Sequence, residues 1–215
     1  MNLTLADGIF LVRLAREAVA KFLTENVRIP PPKDVPQKLK EKRGVFVTIQ
    51  KIEIDETGVW RRRLRGCIGF PLPIFSLVEA TINAAIAAAV QDPRFPPMTA
   101  GEIKQVVFEV SVLTPPQKII VNKPTEYPKK IKVGRDGLIV KMGMISGLLL
   151  PQVAVEYGWD EETFLSQTCV KAGLLPDAWL NRNIEVYKFQ AQIFAEIEPE
   201  GDIIERRIHL SRGEE

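Results

Sequence analysis

The residues best suited to chemistry gather around Cys67. It lies in Leu64-Arg65-Gly66-Cys67-Ile68-Gly69-Phe70, directly downstream of Arg61, Arg62 and Arg63. Guanidinium charge close to a thiol favours the thiolate, so a nucleophilic or ligand-contacting cysteine is one reading of the stretch. The other is a small buried apolar side chain, the commoner fate of a free cysteine. Gly66 and Gly69 interrupt an otherwise good strand. A glycine inside a strand costs stability unless another group approaches closely, so the pair reads as access to the thiol.

Further downstream, Asp92 and Arg94 follow a long apolar stretch, and Glu109 and Ser111 share one face of a later strand pattern. Arg65 and Arg94 could hold a carboxylate or phosphate bidentately, and Asp92 could orient an arginine or exchange a proton. Cys67, Asp92 and Glu109 are therefore the candidate catalytic groups. Arg65, Gly66, Gly69, Arg94 and Ser111 are the candidate ligand contacts. The plainer accounts are a helix-end Asp92–Arg94 pair and a solvated strand face carrying Glu109 and Ser111.

The surrounding elements must bring these groups together. Apolar residues at Ile9, Val12, Ala15, Val19 and Phe22 predict an amphipathic helix over 7–25. Pro30 to Lys42 reads as an extended loop. Gly44 to Ile54 is a strand whose alternation slips near Gln50-Lys51, as a bulge would make it, and a turn at 55–58 joins it to the signature strand as an antiparallel hairpin. The helix predicted over Phe75–Gln91 covers about 25 Å at ~1.5 Å per residue. Running back along the preceding strand, it delivers Asp92 and Arg94 to the neighbourhood of Leu64 and Arg65. Thr99 and Glu102 have capping-box spacing for a short helix, and Val106–Leu113 is a strand.

From Thr114 the texture changes to prolines and short apolar pieces, with a turn at 135–137 between strand-like flanks. Pro151 opens a short helix, and Asp160 caps another that runs through Lys171 and closes at Gly173. Ile184–Ile197 alternates as one long half-buried strand, and Gly201 onward reads as a charged tail. The expected fold is α+β: a mostly antiparallel sheet packed by helices, with a smaller hairpin-rich second lobe. Residues 1–113 and 180–200 would form the main lobe, 114–179 the smaller lobe or insertion, and 201–215 the tail.

Composition excludes several classes. The chain has 215 residues, 46% of them hydrophobic, enough for a substantial core, and a formal charge of +2. That near balance gives no global pull toward nucleic acid or an anionic membrane. The longest apolar run, Phe75–Val90, is broken by Ser76, Glu79, Thr81 and Asn83, so no membrane span is expected. Nothing at the N-terminus reads as a signal peptide, and two cysteines with no framework fit a reducing cytoplasm. The single histidine, His209, lies far from Cys67 in sequence, which argues against a Cys-His pair. No zinc spacing, phosphate loop or dinucleotide fingerprint is present, so no metal site is assigned and the cofactor is unknown. Carboxylates such as Asp92 and Glu109 leave a hard-cation site open, without a calcium-loop pattern. The run Arg61–Arg63 with Trp60 and the lysines at 38, 40 and 42 is the only feature that favours RNA.

Five stretches, in order, resemble the AMMECR domain family. They are Leu64–Gly69; Gln91–Pro97; Glu109–Leu113; Leu149–Ala154 with Gly158-Trp159-Asp160; and Cys169–Leu174 with Pro176–Trp179. The resemblance runs from about Leu5 to Ile197. It implies a shared fold and site, carries no assigned reaction, and makes Gln152, Thr168 and Cys169 candidates for the opposite wall of a cleft. Three functions follow as expectations. The first is an enzyme or ligand-binding module whose cleft, centred on Cys67 and Arg65, takes a small anionic or nucleotide-like ligand. The second is a non-catalytic RNA- or protein-binding adaptor. The third is a subunit working beside partner enzymes. Oligomeric state is not indicated.

Overall fold

The computed structural model describes residues 3–54 and 56–208. Helix α1 (Leu5–Glu25) starts at a reciprocal cap: the Asp7 amide donates to Thr4 Oγ1, and the Asp7 carboxylate accepts from the Thr4 amide at 2.7 Å. Asn26, at φ 54°, ends it. The following loop contains one helical turn, α2 (Gln37–Lys40), where the sequence suggested only extended chain; Leu39 is fully buried and anchors the turn.

Strands β1 (Val45–Ile54) and β2 (Trp60–Phe70) form the expected hairpin, antiparallel, with a register shift between Ile49 and Gln50 where the alternation slipped. Ser76 caps α3 (Leu77–Val90) by accepting from the Glu79 amide, and the Thr99–Glu102 capping box opens a 3-10 turn over Ala100–Gln105. Strand β3 (Val106–Leu113) is buried on both faces and pairs antiparallel with β1.

The chain then builds a second compact unit over Thr114–Ala191. Its elements are β4 (Gln117–Lys118), α4 (Tyr127–Lys130), β5 (Gly137–Met142), β6 (Ile145–Leu149), α5 (Pro151–Glu156), α6 (Glu161–Lys171) and β7 (Glu185–Phe189). The strands make an antiparallel sheet in the order β4-β7-β5-β6. The reversal expected at 135–137 lies elsewhere. Asp136 accepts from the Lys132 amide and pairs with Arg135, making a tight turn that leads into β5, and the hairpin itself closes at Gly143, φ 61°. As expected, Asp160 caps α6, and Gly173, φ 77°, follows it.

The first unit resumes at Gln192, within β8 (Ala191–Glu196), and with β9 (Ile203–Arg206) completes a sheet in the order β2-β1-β3-β8-β9. Two expectations are corrected here. The alternating run 184–197 is two strands in two different sheets, divided at Gln190, whose amide and carbonyl are both taken up by Thr114. A period of two continues unbroken through such a switch, so the pattern could not show it. Residues 203–206, read as part of a charged tail, pair with β8 because Ile203 is buried in the core.

In the first unit α1 and α3 cover one face of the sheet. Val45, Val47 and Ile49 of β1 and Val106, Phe108, Val110 and Val112 of β3 point into that core. The core of the second unit gathers Leu138, Val140, Phe164, Leu165, Cys169 and Val186. No helix among the described residues is long and apolar enough to cross a membrane.

Candidate functional site

Because successive strand side chains alternate, Phe46, Thr48 and Gln50 of β1 project from the face opposite the helices. The register places Cys67 and Glu109 on either side of Thr48, and Gly69 and Ser111 on either side of Phe46. One row thus runs Cys67, Thr48, Glu109 across three strands. Thr48 Oγ1 donates to Cys67 Sγ at 3.2 Å, and the Glu109 carboxylate accepts from Arg206 Nη1 at 2.8 Å. Cys67 and Thr48 are half-buried, while Glu109 is 4% and Ser111 1% exposed. These two are therefore not the solvated strand face that their polarity suggested.

The α3 helix delivers Asp92 and Arg94 to the free edge of β2, at Cys67 itself and slightly beyond the Leu64–Arg65 position expected. Asp92 accepts the Cys67 amide hydrogen at 2.8 Å. Arg94 grips Asp92 through two bonds, of 2.9 and 2.6 Å, and reaches the Cys67 carbonyl at 3.5 Å. Two side chains thereby occupy main-chain groups that a neighbouring strand would otherwise take. The Arg94 guanidinium holds the Asp92 carboxyl well down, at about 2, against the cost of its burial. Asp92 is thus a permanent anion near neutrality, suited to orienting Arg94 and poorly matched to proton exchange.

The surroundings of Cys67 favour the neutral thiol. Burial pushes its thiol up; the Thr48 hydroxyl and the Arg94 charge pull the other way, and Glu109 and Asp92 reinforce the rise. The arginine run does not activate the thiol as its sequence position suggested, because its members are engaged elsewhere. Arg62 donates to the carbonyls of Glu196 and Ile197 at 3.1 and 2.7 Å, and Arg63 pairs with Glu53 at 3.4 Å. The same commitments reduce what Arg61–Arg63 could offer to RNA. Arg65, the extra residue at the β2 register shift, forms a two-bond pair with Glu102 at 2.7 and 3.2 Å, which brings the Glu102 carboxyl down to about 2.

The glycines make room for the protein, not for a visitor. A Cβ on Gly66 would stand 2.0 Å from the Ala88 carbonyl oxygen of α3, and one on Gly69 would stand 2.3 Å from the Phe46 ring. Of the second-unit candidates, Thr168 turns its hydroxyl back to the Phe164 carbonyl at 2.7 Å and is fully buried. Cys169 is a core side chain whose thiol burial pushes up to about 11. Gln152 is buried on α5. His209 lies outside the described residues.

Four groups at the site went unread in the sequence: Thr48, Gln50, Glu102 and Arg206. Thr48 and Gln50 alternate with Val47 and Ile49, a pattern that looks like any solvent-facing strand side; only the register with Cys67 and Glu109 gives them a role. Arg206 was assigned to the tail. Four buried polar side-chain atoms have no hydrogen-bond partner among the described residues: Gln152 Oε1 on α5 of the second unit, and Gln50 Oε1, Arg65 Nη1 and Ser111 Oγ. The last three lie on β1, β2 and β3, the same three strands that carry the Cys67 row, with Gln50 and Ser111 in the rows on either side of it. Among the described residues no group of three or more histidine, cysteine, aspartate or glutamate side chains is placed to hold a metal ion.

Comparison with known proteins gives the chain its relatives. A protein of Thermofilum pendens is 60% identical over 97% of this chain and 99% of its own length. One of Pyrococcus furiosus is 59% identical over 91% of each chain. The crystal structure of an uncharacterised protein from Pyrococcus horikoshii superimposes with a TM-score of 0.86 at 57% identity, covering 93% of this chain and 96% of that one. The AMMECR1 family model matches residues 12–194, a span that holds Cys67, Asp92, Glu109, strands β1 to β7 and the first part of β8. With the ordered motifs, the α+β architecture and this match in agreement, the chain belongs to the AMMECR1 family.

Proposed function

We propose that the chain is a ligand-binding module, and that its site is the polar face of the first-unit sheet around Cys67. The ligand is small and carries an anionic group, which takes the open N–H groups of Arg65 and the outward side of Arg94, and a donor, which takes Gln50 Oε1. Cys67 and Thr48 line the site as a neutral thiol and hydroxyl, and Glu109 with Arg206 closes its inner end. The single observation that carries this reading is the trio of buried, unpartnered polar atoms on Gln50, Arg65 and Ser111. A buried donor or acceptor left without a partner costs about 1–3 kcal/mol, and natural folds retain such groups where something else satisfies them.

The thiol's raised proton affinity favours binding over nucleophilic chemistry at rest. The anionic component rests on two guanidinium groups, each with bonding capacity beyond its carboxylate partner. Native mass spectrometry of protein purified without denaturation tests the reading. The expected result is an adduct of discrete small mass on the wild-type chain that is lost in Ser111→Ala and in Arg65→Gln, with a crystal structure showing non-water density against those three atoms. A chain of unmodified mass whose three atoms are bridged by ordered water alone would overturn it.

A further inference from the structure

A separate cavity of about 250 Å³ opens in the first unit on the other side of β2, lined by Arg28, Phe70, Phe75, Asn83, Ile86, Ala87 and Gln91. Phe70 follows Ile68 on the helix-facing side of β2, whereas Cys67 faces away from α3, so the cavity and the polar row do not share a wall side chain. Its apolar lining comes from Ile86 and Ala87 of α3 and from the two rings, whose centroids are 5.3 Å apart at an interplanar angle of 79°. An edge-to-face pair of this kind offers a third ring both a face and an edge.

The polar lining is the Arg28 guanidinium with the side-chain amides of Asn83 and Gln91 beside it. Arg28 is an exposed residue just beyond the end of α1, and its one hydrogen bond among the described residues goes to Asn83 Oδ1, a neutral acceptor. It differs in this from Arg16, Arg65, Arg94, Arg135 and Arg206, each of which is neutralised by a carboxylate. The Asn83 oxygen accepts from Arg28, and its amide N–H groups have no partner among the described residues. Gln91, the last residue before Asp92, has no side-chain bond among the described residues. Asn83 is also an unfavourable choice within an alanine-rich helix, where its side chain competes for backbone hydrogen bonds.

We propose that this cavity is a binding site for a small aromatic carboxylate. The ring enters against Phe70 and Phe75, and the carboxylate accepts a two-bond fork from Arg28, with Asn83 and Gln91 supplying further N–H groups. The volume lies just under the ~300–1,000 Å³ that drug-sized ligands occupy, which restricts the ligand to about one ring and a short substituent. Full charge matters, because a guanidinium with no carboxylate of its own discriminates an anion from a neutral acceptor of the same shape.

Isothermal titration and amide chemical-shift mapping with benzoate, benzamide, cyclohexanecarboxylate and inorganic phosphate test the proposal. Benzoate is expected to bind with a dissociation constant in the millimolar range or tighter and to shift the amides of Arg28, Phe75, Asn83 and Gln91. Benzamide and phosphate should bind at least about tenfold more weakly, the first lacking the charge and the second the ring. Arg28→Gln, a change at an exposed side chain, should weaken benzoate about tenfold or more while leaving the thermal midpoint near wild type. Phe75→Leu should weaken benzoate more than cyclohexanecarboxylate. Equal binding of benzoate and benzamide, benzoate affinity unchanged in Arg28→Gln, or no shift in those four amides with about 10 mM benzoate would each overturn it. None of these outcomes depends on Arg65, Gln50 or Ser111, so the site fails or stands apart from the polar row around Cys67.

Discussion

Thr48 Oγ1 donates a hydrogen bond to Cys67 Sγ across the β1–β2 pair at 3.2 Å, and this bond, with burial, sets the character of the thiol. Burial dominates and keeps the sulfur protonated near neutrality. In native protein Cys67 should therefore react with iodoacetamide at pH 7 more slowly than in the urea-unfolded chain, with its rate rising only at pH above the ordinary thiol range. Thr48→Val removes the donor that favours the thiolate and should move the profile further up. Peptide mass spectrometry resolves Cys67 from Cys169, which should stay unlabelled while the chain is folded. Fast labelling of Cys67 at pH 7 would reinstate the nucleophile.

Asp92 holds the edge of β2 through the Cys67 amide and through Arg94. Its folded proton affinity lies below that of the unfolded chain, so its stabilising contribution is fully present above about pH 4 and disappears as pH falls through about 2. Asp92→Asn keeps the shape but loses the charge opposite Arg94. It should destabilise by about 2 kcal/mol at pH 7 and flatten the acid limb of the stability curve between pH 4 and 2, as read by urea midpoints across pH. Equal midpoints for variant and wild type at pH 7 would remove Asp92 from the account of the edge.

Space distinguishes two glycines of the first unit, Gly66 and Gly101. Gly66→Ala brings a methyl against the Ala88 carbonyl and should cost about 2 kcal/mol or more, since neither the strand nor α3 can yield alone. Gly101→Ala meets nothing within 4 Å and has no left-handed backbone requirement, so it should be neutral or stabilise by about 0.5 kcal/mol. Thermal midpoints of the two variants in the same buffer make the comparison.

Ser111→Ala should behave unlike most buried substitutions. It deletes a hydroxyl that has no protein partner, so in ligand-free protein the urea midpoint should stay level or rise, by up to about 1 kcal/mol equivalent. The same change should abolish the small-molecule adduct proposed above. A loss of stability larger than about 1 kcal/mol would mean that the hydroxyl already serves the fold.

What the sequence made legible follows from which signals are local. The helices before Glu25 and Val90, the β1–β2 hairpin with its slip and the caps at Thr99 and Asp160 are set by short-range periodicity and side-chain hydrogen bonding, and they emerge within a residue or two. The approach of Asp92 to β2 was legible because a helix and the strand before it have comparable lengths. Register across non-adjacent strands was not legible. Nothing local announces that Thr48 lies between Cys67 and Glu109, that Gly66 yields to a helix carbonyl, or that Arg206 returns to Glu109. The split at Gln190 was hidden for the same reason, because alternation looks identical in one sheet or two.

The order of strands in the first-unit sheet has a bearing on how the chain is born. β8 lies beside β3 and β9 beside β8, yet both follow β3 only after the second unit has been made. Phe194 packs where Gly8 leaves room for it, and Glu196 takes both the Arg16 guanidinium and the Phe108 amide. On the ribosome, at about 5–20 residues per second, α1 and β3 therefore wait several seconds with Arg16 still lacking its counter-charge. The interrupted half reaches its native state last although it starts first, and a nascent chain stalled before Glu196 emerges should present an unfinished β3 edge to chaperones.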